Sequence, residues 1–305
     1  MRIFAHAYGN DLSASTRIRF SRVLRAMDDV EVVESKGHPE FADLIYIQKR
    51  ADTFTLSLAK YANDNKIPLV YDIDDAPGQC AATELENRMI EMATLVTVDT
   101  DKKMYAFPNA GNKIRVVPDC IDYWDEKPVY RVRDTIQVVG SFGRKHSIEA
   151  AVPIFKMFRE SITDLIMFYI SDEVVDPLKG IAAYIPWDID SMKTDMVKVD
   201  VMIAAQTEDI KGSLRSNNRL IASMAAGIPT VVNNSESYSK TLHNASLDDL
   251  VITQSNFGRV IHIIEKKNVR EFISVNASHY AWQNHSPKVV ATRLHDVFME
   301  ALNGA

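Results

Sequence analysis

The chain has 305 residues, 46% hydrophobic and 25% charged, a balance that excludes a disordered protein and leaves room for two domains. Its 35 basic and 41 acidic residues give a net charge of −6, so no global basic field draws it to nucleic acid. Cys80 and Cys120 lack metal-ligand spacing and fit a reducing compartment. No run has the length of a membrane span, and residues 1 to 7 lack the features of a signal peptide. A cytoplasmic location is expected.

Short apolar runs alternate with longer segments of helical period, the pattern of parallel sheets covered by helices. The first set of strands is predicted at Arg2–Ala7, Val30–Glu34, Asp43–Gln48, Leu69–Ile73, Leu95–Val98 and Ile114–Val117. The first helix, around Ser15–Met27, turns Ile18, Val23, Leu24 and Met27 inward and sets Arg19, Arg22 and Arg25 on its other side. A looser stretch, Pro118–Asp134, reads as the linker. Beyond it come strands at Ile136–Gly140, Leu165–Ile170, Val199–Ala204, Thr230–Val232 and Leu250–Thr253. Helices are predicted at Ser147–Glu160, Ile189–Met196, Ser216–Ala226, Phe257–Glu265, Val269–Trp282 and Lys288–Leu302. The expected division is 1–127 and 128–305.

Ligands of open α/β sheets bind outside the carboxyl ends of the strands, so the strand-end loops carry the candidate chemistry. The loop after the first strand holds Ser13, Ser15 and Arg17 ahead of a helix; its hydroxyls suit a helix cap or a phosphate or sugar. Strand Leu69–Ile73 runs into Asp74 and Asp75. Alternation puts Asp72 and Asp74 on one side, so a carboxylate here can bind hydroxyls, accept a proton or cap the next element. Gly140-Ser141-Phe142-Gly143-Arg144-Lys145-His146 joins a glycine turn, two cations and a helix start, a diphosphate cradle in outline. Arg215-Ser216-Asn217-Asn218-Arg219 adds two more cations at a helix start, and that helix stops at Ala226-Gly227-Ile228-Pro229. Arg144, Lys145, Arg215 and Arg219 are expected to converge on one polyanion.

With these loops assembled, the chain resembles the GT-B nucleotide-sugar glycosyltransferases, most nearly the retaining branch of hexosyl and mannosyl transferases. The resemblance is carried by Pro68–Asp75, Leu95–Thr100, Val116–Asp122, Arg215–Pro229 and the closing helix Trp282–Leu302. It implies two facing Rossmann-like α/β domains with a cleft between them and a C-terminal helix crossing back to the first. It also implies a nucleotide-diphosphate sugar as co-substrate, with neither metal nor other cofactor. Arg144, Lys145, Arg215 and Arg219 would hold the donor diphosphate, and Asp74 and Asp75 would supply the catalytic carboxylate. Ser13, Ser15, Arg17, Ser216, Asn217 and Asn218 would line the donor and acceptor cleft. Two positions depart from the family pattern: Ala222 stands where a ribose-binding glutamate is common, and Cys120 where the linker has glycine.

The acceptor is left open among a glycan, a lipid-linked sugar, a small molecule and a modified DNA base. The last is prompted by the Arg19, Arg22 and Arg25 face and opposed by the acidic balance. A noncatalytic sugar-nucleotide-binding module is the alternative that Ala222 suggests. Asp72-Ile73-Asp74 as a metal-binding motif fits poorly with two successive α/β sets, and no Gly-x-Gly-x-x-Gly follows the first strand to suggest a nicotinamide enzyme.

Overall fold

The computed structural model describes residues 1–34, 39–75 and 83–304; Cys80 lies outside them. The chain divides into two compact units, Met1–Cys120 with His285–Ala305, and Ile121–Asn284.

The first unit is built on six parallel strands: Arg2–His6 (β1), Glu31–Glu34 (β2), Leu44–Gln48 (β3), Leu69–Ile73 (β4), Leu95–Val98 (β5) and Ile114–Val116 (β6). Their order is β2-β1-β3-β4-β5-β6, so the direction of winding switches between β1 and β3, the point in such sheets at which the loops leaving the strands part and ligands bind. Ile3, Ala5 and Tyr46 pack on one face of the sheet while Phe4, Ile45 and Ile47 pack on the other, the two-residue alternation of a strand. Both faces are covered, which is why these strands read as unbroken apolar runs.

The first helix departs from its predicted geometry. It runs Ala14–Thr16, then five π-helical residues Arg17–Ser21, then Arg22–Arg25. The wider π turn shifts the register of side chains around the axis, and the five residues from Thr16 to Phe20 are all buried. Arg19 therefore leaves the outer face expected from helical spacing and is only 4% exposed. Its Nε and Nη2 donate to the two carboxylate oxygens of Asp72 at 2.9 and 2.5 Å, and its Nη1 donates to Asp119 at 2.8 Å and to the Val117 carbonyl at 2.9 Å. Thr97 donates to the same Asp72 at 2.6 Å. Asp72 is thus a buried structural carboxylate, committed to Arg19 and Thr97.

The chain ends in two helices, Lys267–His285 and Pro287–Asn303. The second contributes Val290, Leu294, Val297 and Phe298 to the core of the first unit beside Phe20, Leu24 and Tyr46. Arg115 and Glu300 form a bidentate ion pair there. This differs from the expected division at 127/128. Ile121 and Trp124 pack into the core of the second unit, so the boundary falls after Cys120, and apolar burial returns the last helix to the first unit. Cys120 itself is buried, and the left-handed turn of this stretch falls on Tyr123, at φ 64°.

The second unit repeats the plan with Val138–Phe142 (β7), Ile166–Ser171 (β8), Ala183–Pro186 (β9), Val201–Ala204 (β10), Thr230–Asn233 (β11) and Val251–Ile252 (β12). The order is β12-β11-β10-β7-β8-β9, all parallel, with the switch between β7 and β10. Strand β9 was not predicted. It lies at the sheet edge, is only partly buried and ends in proline, so it lacks the apolar run that marks the inner strands.

The pairs around Arg19 and Arg25 differ in burial and so in expected worth. Arg19→Met leaves Asp72 and Asp119 buried without their cation and is expected to cost about 3–5 kcal/mol in urea unfolding. Arg25→Met, which removes an exposed pair with Asp11, is expected to cost no more than about 1 kcal/mol.

Candidate functional site

The second unit gathers positive charge at the carboxyl ends of β7 and β10. After β7 the chain turns at Gly143, whose φ of +146° is unfavourable for other residues, and enters the Lys145–Ser161 helix with Arg144 as its N-cap residue. A Cβ at Gly143 would lie 3.1 Å from the Arg219 side chain, so glycine lets that guanidinium lie across the turn. The Asn218–Ala225 helix starts near Arg215 and Arg219. It stops with Gly227 at φ +76°, where the N–H groups of Gly227 and Ile228 donate to the Met224 and Ser223 carbonyls at 2.9 and 3.1 Å, a closed helix end that releases the chain into β11.

Arg219 donates from Nη2 to the Ala205 carbonyl at 2.7 Å, while its Nη1 is buried with no hydrogen-bond partner among the described residues. The Arg215 guanidinium donates to Nε2 of His146. Burial, followed by the charges of Arg215, Arg219 and Arg144, pushes the His146 pKa down to about 4. The imidazole is therefore neutral near pH 7 and free to accept from Arg215. Among the described residues, none of Arg144, Arg215 and Arg219 forms an ion pair with a carboxylate. Cations held together at a helix start make a strong anion site.

Lys145 is not part of this cluster: its ammonium pairs with Glu173 at 3.0 Å and its N–H donates to Asp172 at 2.9 Å. Ser216 uses its carbonyl to accept from Gln206 at 2.8 Å, and Asn217 donates to Thr241 at 2.6 Å. Asn218 is half-buried in the first turn of its helix. Gln206 and Asn233 lock the ends of β10 and β11 together through paired bonds of 3.0 and 2.7 Å. Ala222 is 1% exposed, and its carbonyl accepts from the Trp124 indole at 3.0 Å; the position is given to core packing.

In the first unit, Ser13 starts the first helix through its backbone, with its carbonyl accepting from Arg17 at 3.0 Å. Arg17 is buried and donates to the Asp11 and Leu12 carbonyls at 2.9 and 3.1 Å, so it braces its own loop. Lys49, at the end of β3, was not anticipated. It adopts φ 60°, rare outside glycine, and its ammonium lies 2.6 Å from Asp75, 3.5 Å from Asp74, 3.4 Å from Ser15 Oγ and 4.5 Å from the centre of the Tyr8 ring. Burial raises the Asp74 pKa, but the ammoniums of Lys49 and Lys103 outweigh it and hold the carboxyl below its usual range. Asp74 is therefore a weak proton acceptor. The stretch that Asp74 or Asp75 was expected to cap lies outside the described residues.

No protein-family model and no curated protein matches the chain, but solved structures do. Anabaena Alr3699/HepE, crystallised in complex with UDP, superposes with a TM-score of 0.72 at 13% identity, covering 98% of this chain and 100% of that one. A glycosyltransferase from Rickettsia africae aligns at 0.67 and 12% identity over 100% and 99% of the two chains. WaaG aligns at 0.62 and 11% identity over 98% and 99%. The chain has the GT-B fold.

The cluster makes a direct statement about protonation. NMR titration of His146 is expected to give a midpoint near 4, moving toward the unperturbed 6.5 in Arg215→Ala. Because the folded pKa is the lower one, the unfolded chain takes up the proton first. This group's contribution to stability is therefore constant above pH 6.5 and declines as the pH falls from there to about 4.

Proposed function

We propose that the chain transfers a sugar from a nucleoside diphosphate donor whose diphosphate is held by Arg144, Arg215 and Arg219. The observation that carries this reading is the set of three guanidiniums at one strand-end crevice, without carboxylate partners among the described residues and with an orphaned Nη1 on Arg219. Repulsion within such a cluster is relieved by a polyanion. As the glycosidic bond breaks, negative charge grows on the departing diphosphate, and cations fixed in advance stabilise it most at that stage.

HepE is crystallised with UDP and with UDP-glucose, and WaaG is described as a glycosyltransferase involved in lipopolysaccharide biosynthesis; uridine diphosphate is therefore the first nucleotide to test. The reading extends to a cytoplasmic hexosyl- or pentosyltransferase acting with retention and without a metal ion, as the family resemblance implies. Among the described residues no helix is long and apolar enough to cross a membrane. Of the Arg19, Arg22 and Arg25 face that prompts a DNA acceptor, Arg19 is buried and Arg25 pairs with Asp11 at the surface, which favours the other acceptor classes. Of the two aspartates suggested as catalytic, Asp75 is the more accessible, with 23% of its side chain exposed against 10% for Asp74.

Arg215→Ala and Arg219→Ala are each expected to weaken UDP binding by roughly 10–100-fold, the loss of a charge-assisted hydrogen bond, and to leave uridine binding unchanged by calorimetry. Unaltered UDP affinity in both variants would sink the assignment. Incubation with a panel of nucleotide sugars, with and without chelator, then separates a transferase from a binding module, and the anomeric signal of the product reports retention.

A further inference from the structure

The strand-end crevice of the first unit differs in charge from that of the second. Its cations are matched: Lys49 by Asp74 and Asp75, and Arg50 by Asp52 at 2.5 Å. Arg17 is turned back onto the carbonyls of its own loop. Among the described residues, Lys49 and Arg50 have carboxylate partners at this strand end, whereas the guanidiniums at the second unit's crevice have none.

Beside these pairs sits a group with unmet hydrogen-bonding capacity. His6, the last residue of β1, is 8% exposed, and both of its ring nitrogens are buried without a partner among the described residues. Its ring lies against Phe54, with centroids 5.2 Å apart and planes tilted by 52°. Phe54 is 52% exposed. It is presented on the first turn of the Thr53–Asp64 helix, whose start is fixed by reciprocal bonds between Asp52 and Thr55. The ring of Tyr8, 40% exposed, flanks the same strand end and covers the Lys49 ammonium.

We propose that His6 and Phe54 form a subsite for a neutral pyranose acceptor, which stacks on the Phe54 ring and engages the His6 imidazole through a hydroxyl. The proposal rests on the transferase reading above and names its acceptor class. A neutral imidazole offers one donor and one acceptor, and a hydroxyl group offers both in return. Burial, and then the charge of Arg50, lowers the His6 pKa, which keeps the ring in that neutral form. A sugar ring presents an apolar C–H face to the negative face of an aromatic ring and hydroxyls at its rim. A site of one aromatic platform and one unpartnered polar group suits such a ligand, since a few placed polar groups on an apolar wall are what orient small molecules.

The test uses the full chain saturated with UDP and labelled with 15N in its imidazoles. Methyl pyranosides of the gluco, galacto, manno and N-acetylglucosamine configurations are titrated in turn, with glycerol and inorganic phosphate as probes that cannot stack. At least one pyranoside is expected to shift the His6 nitrogens, and Phe54→Ala, at a half-exposed position, to weaken that effect tenfold or more while UDP affinity stays at the wild-type value. His6→Gln, if its circular dichroism is native, is expected to weaken pyranoside binding as well. The proposal is overturned if no pyranoside moves His6, if glycerol or phosphate moves it equally, or if Phe54→Ala leaves the response intact. UDP binding that depends on Arg215 and Arg219 would then still stand, whereas its absence would remove the donor reading instead.

Discussion

Like charges held close together in a partly buried crevice are costly, and the second unit is arranged around that cost. Burial first, and then the charges of Arg215, Arg219 and Arg144, lower the His146 pKa to about 4 and keep its imidazole neutral. Arg219 in particular is held in place. Gly143 admits the Arg219 side chain across the turn, the Ala205 carbonyl holds one end of its guanidinium, and the glycine-terminated helix behind it sets where that helix begins. The Gln206–Asn233 bonds fix the strand ends beneath. Such preorganisation is what an anion-binding site requires, because the cations need no rearrangement when charge arrives.

The first unit handles charge in the opposite way. Arg19 is met by Asp72 and Asp119, Lys103 by Asp99, Lys49 by Asp74 and Asp75. Matched pairs of this kind hold loops and strands in register without creating an anion site. They leave the polar capacity of His6 and the exposed ring of Phe54 as the distinctive chemistry at that strand end. The two crevices have the same topology and different electrostatics, so the common fold by itself does not set what either one binds.

Much of the fold was legible because its signals are local. Apolar runs marked eleven of the strands, and the Ala226-Gly227-Ile228-Pro229 stop and the cation-bearing loops followed from neighbouring residues in sequence. The differences from expectation share a physical origin. Regular helical spacing put Arg19 on the surface, but a π turn added a residue to the local period and carried it inside. Lys145 carries the right charge in the right loop, yet Glu173, which follows β8, takes its ammonium. Lys49 and His6 gave no signal, since each is an ordinary residue at the end of an apolar strand until distant segments surround it.

What the sequence by itself determined is the succession of elements: period and turn chemistry are properties of residues a few positions apart, and they sufficed for two parallel α/β units and for the loops at their strand ends. Only the tertiary structure decided which charges are spent and which remain. Whether Arg19 or Arg219 can serve a ligand depends on a carboxylate 53 residues away in one case and on the lack of any among the described residues in the other. Pairing of charges and burial of apolar faces act through space, between segments whose separation along the chain carries no record of their contact.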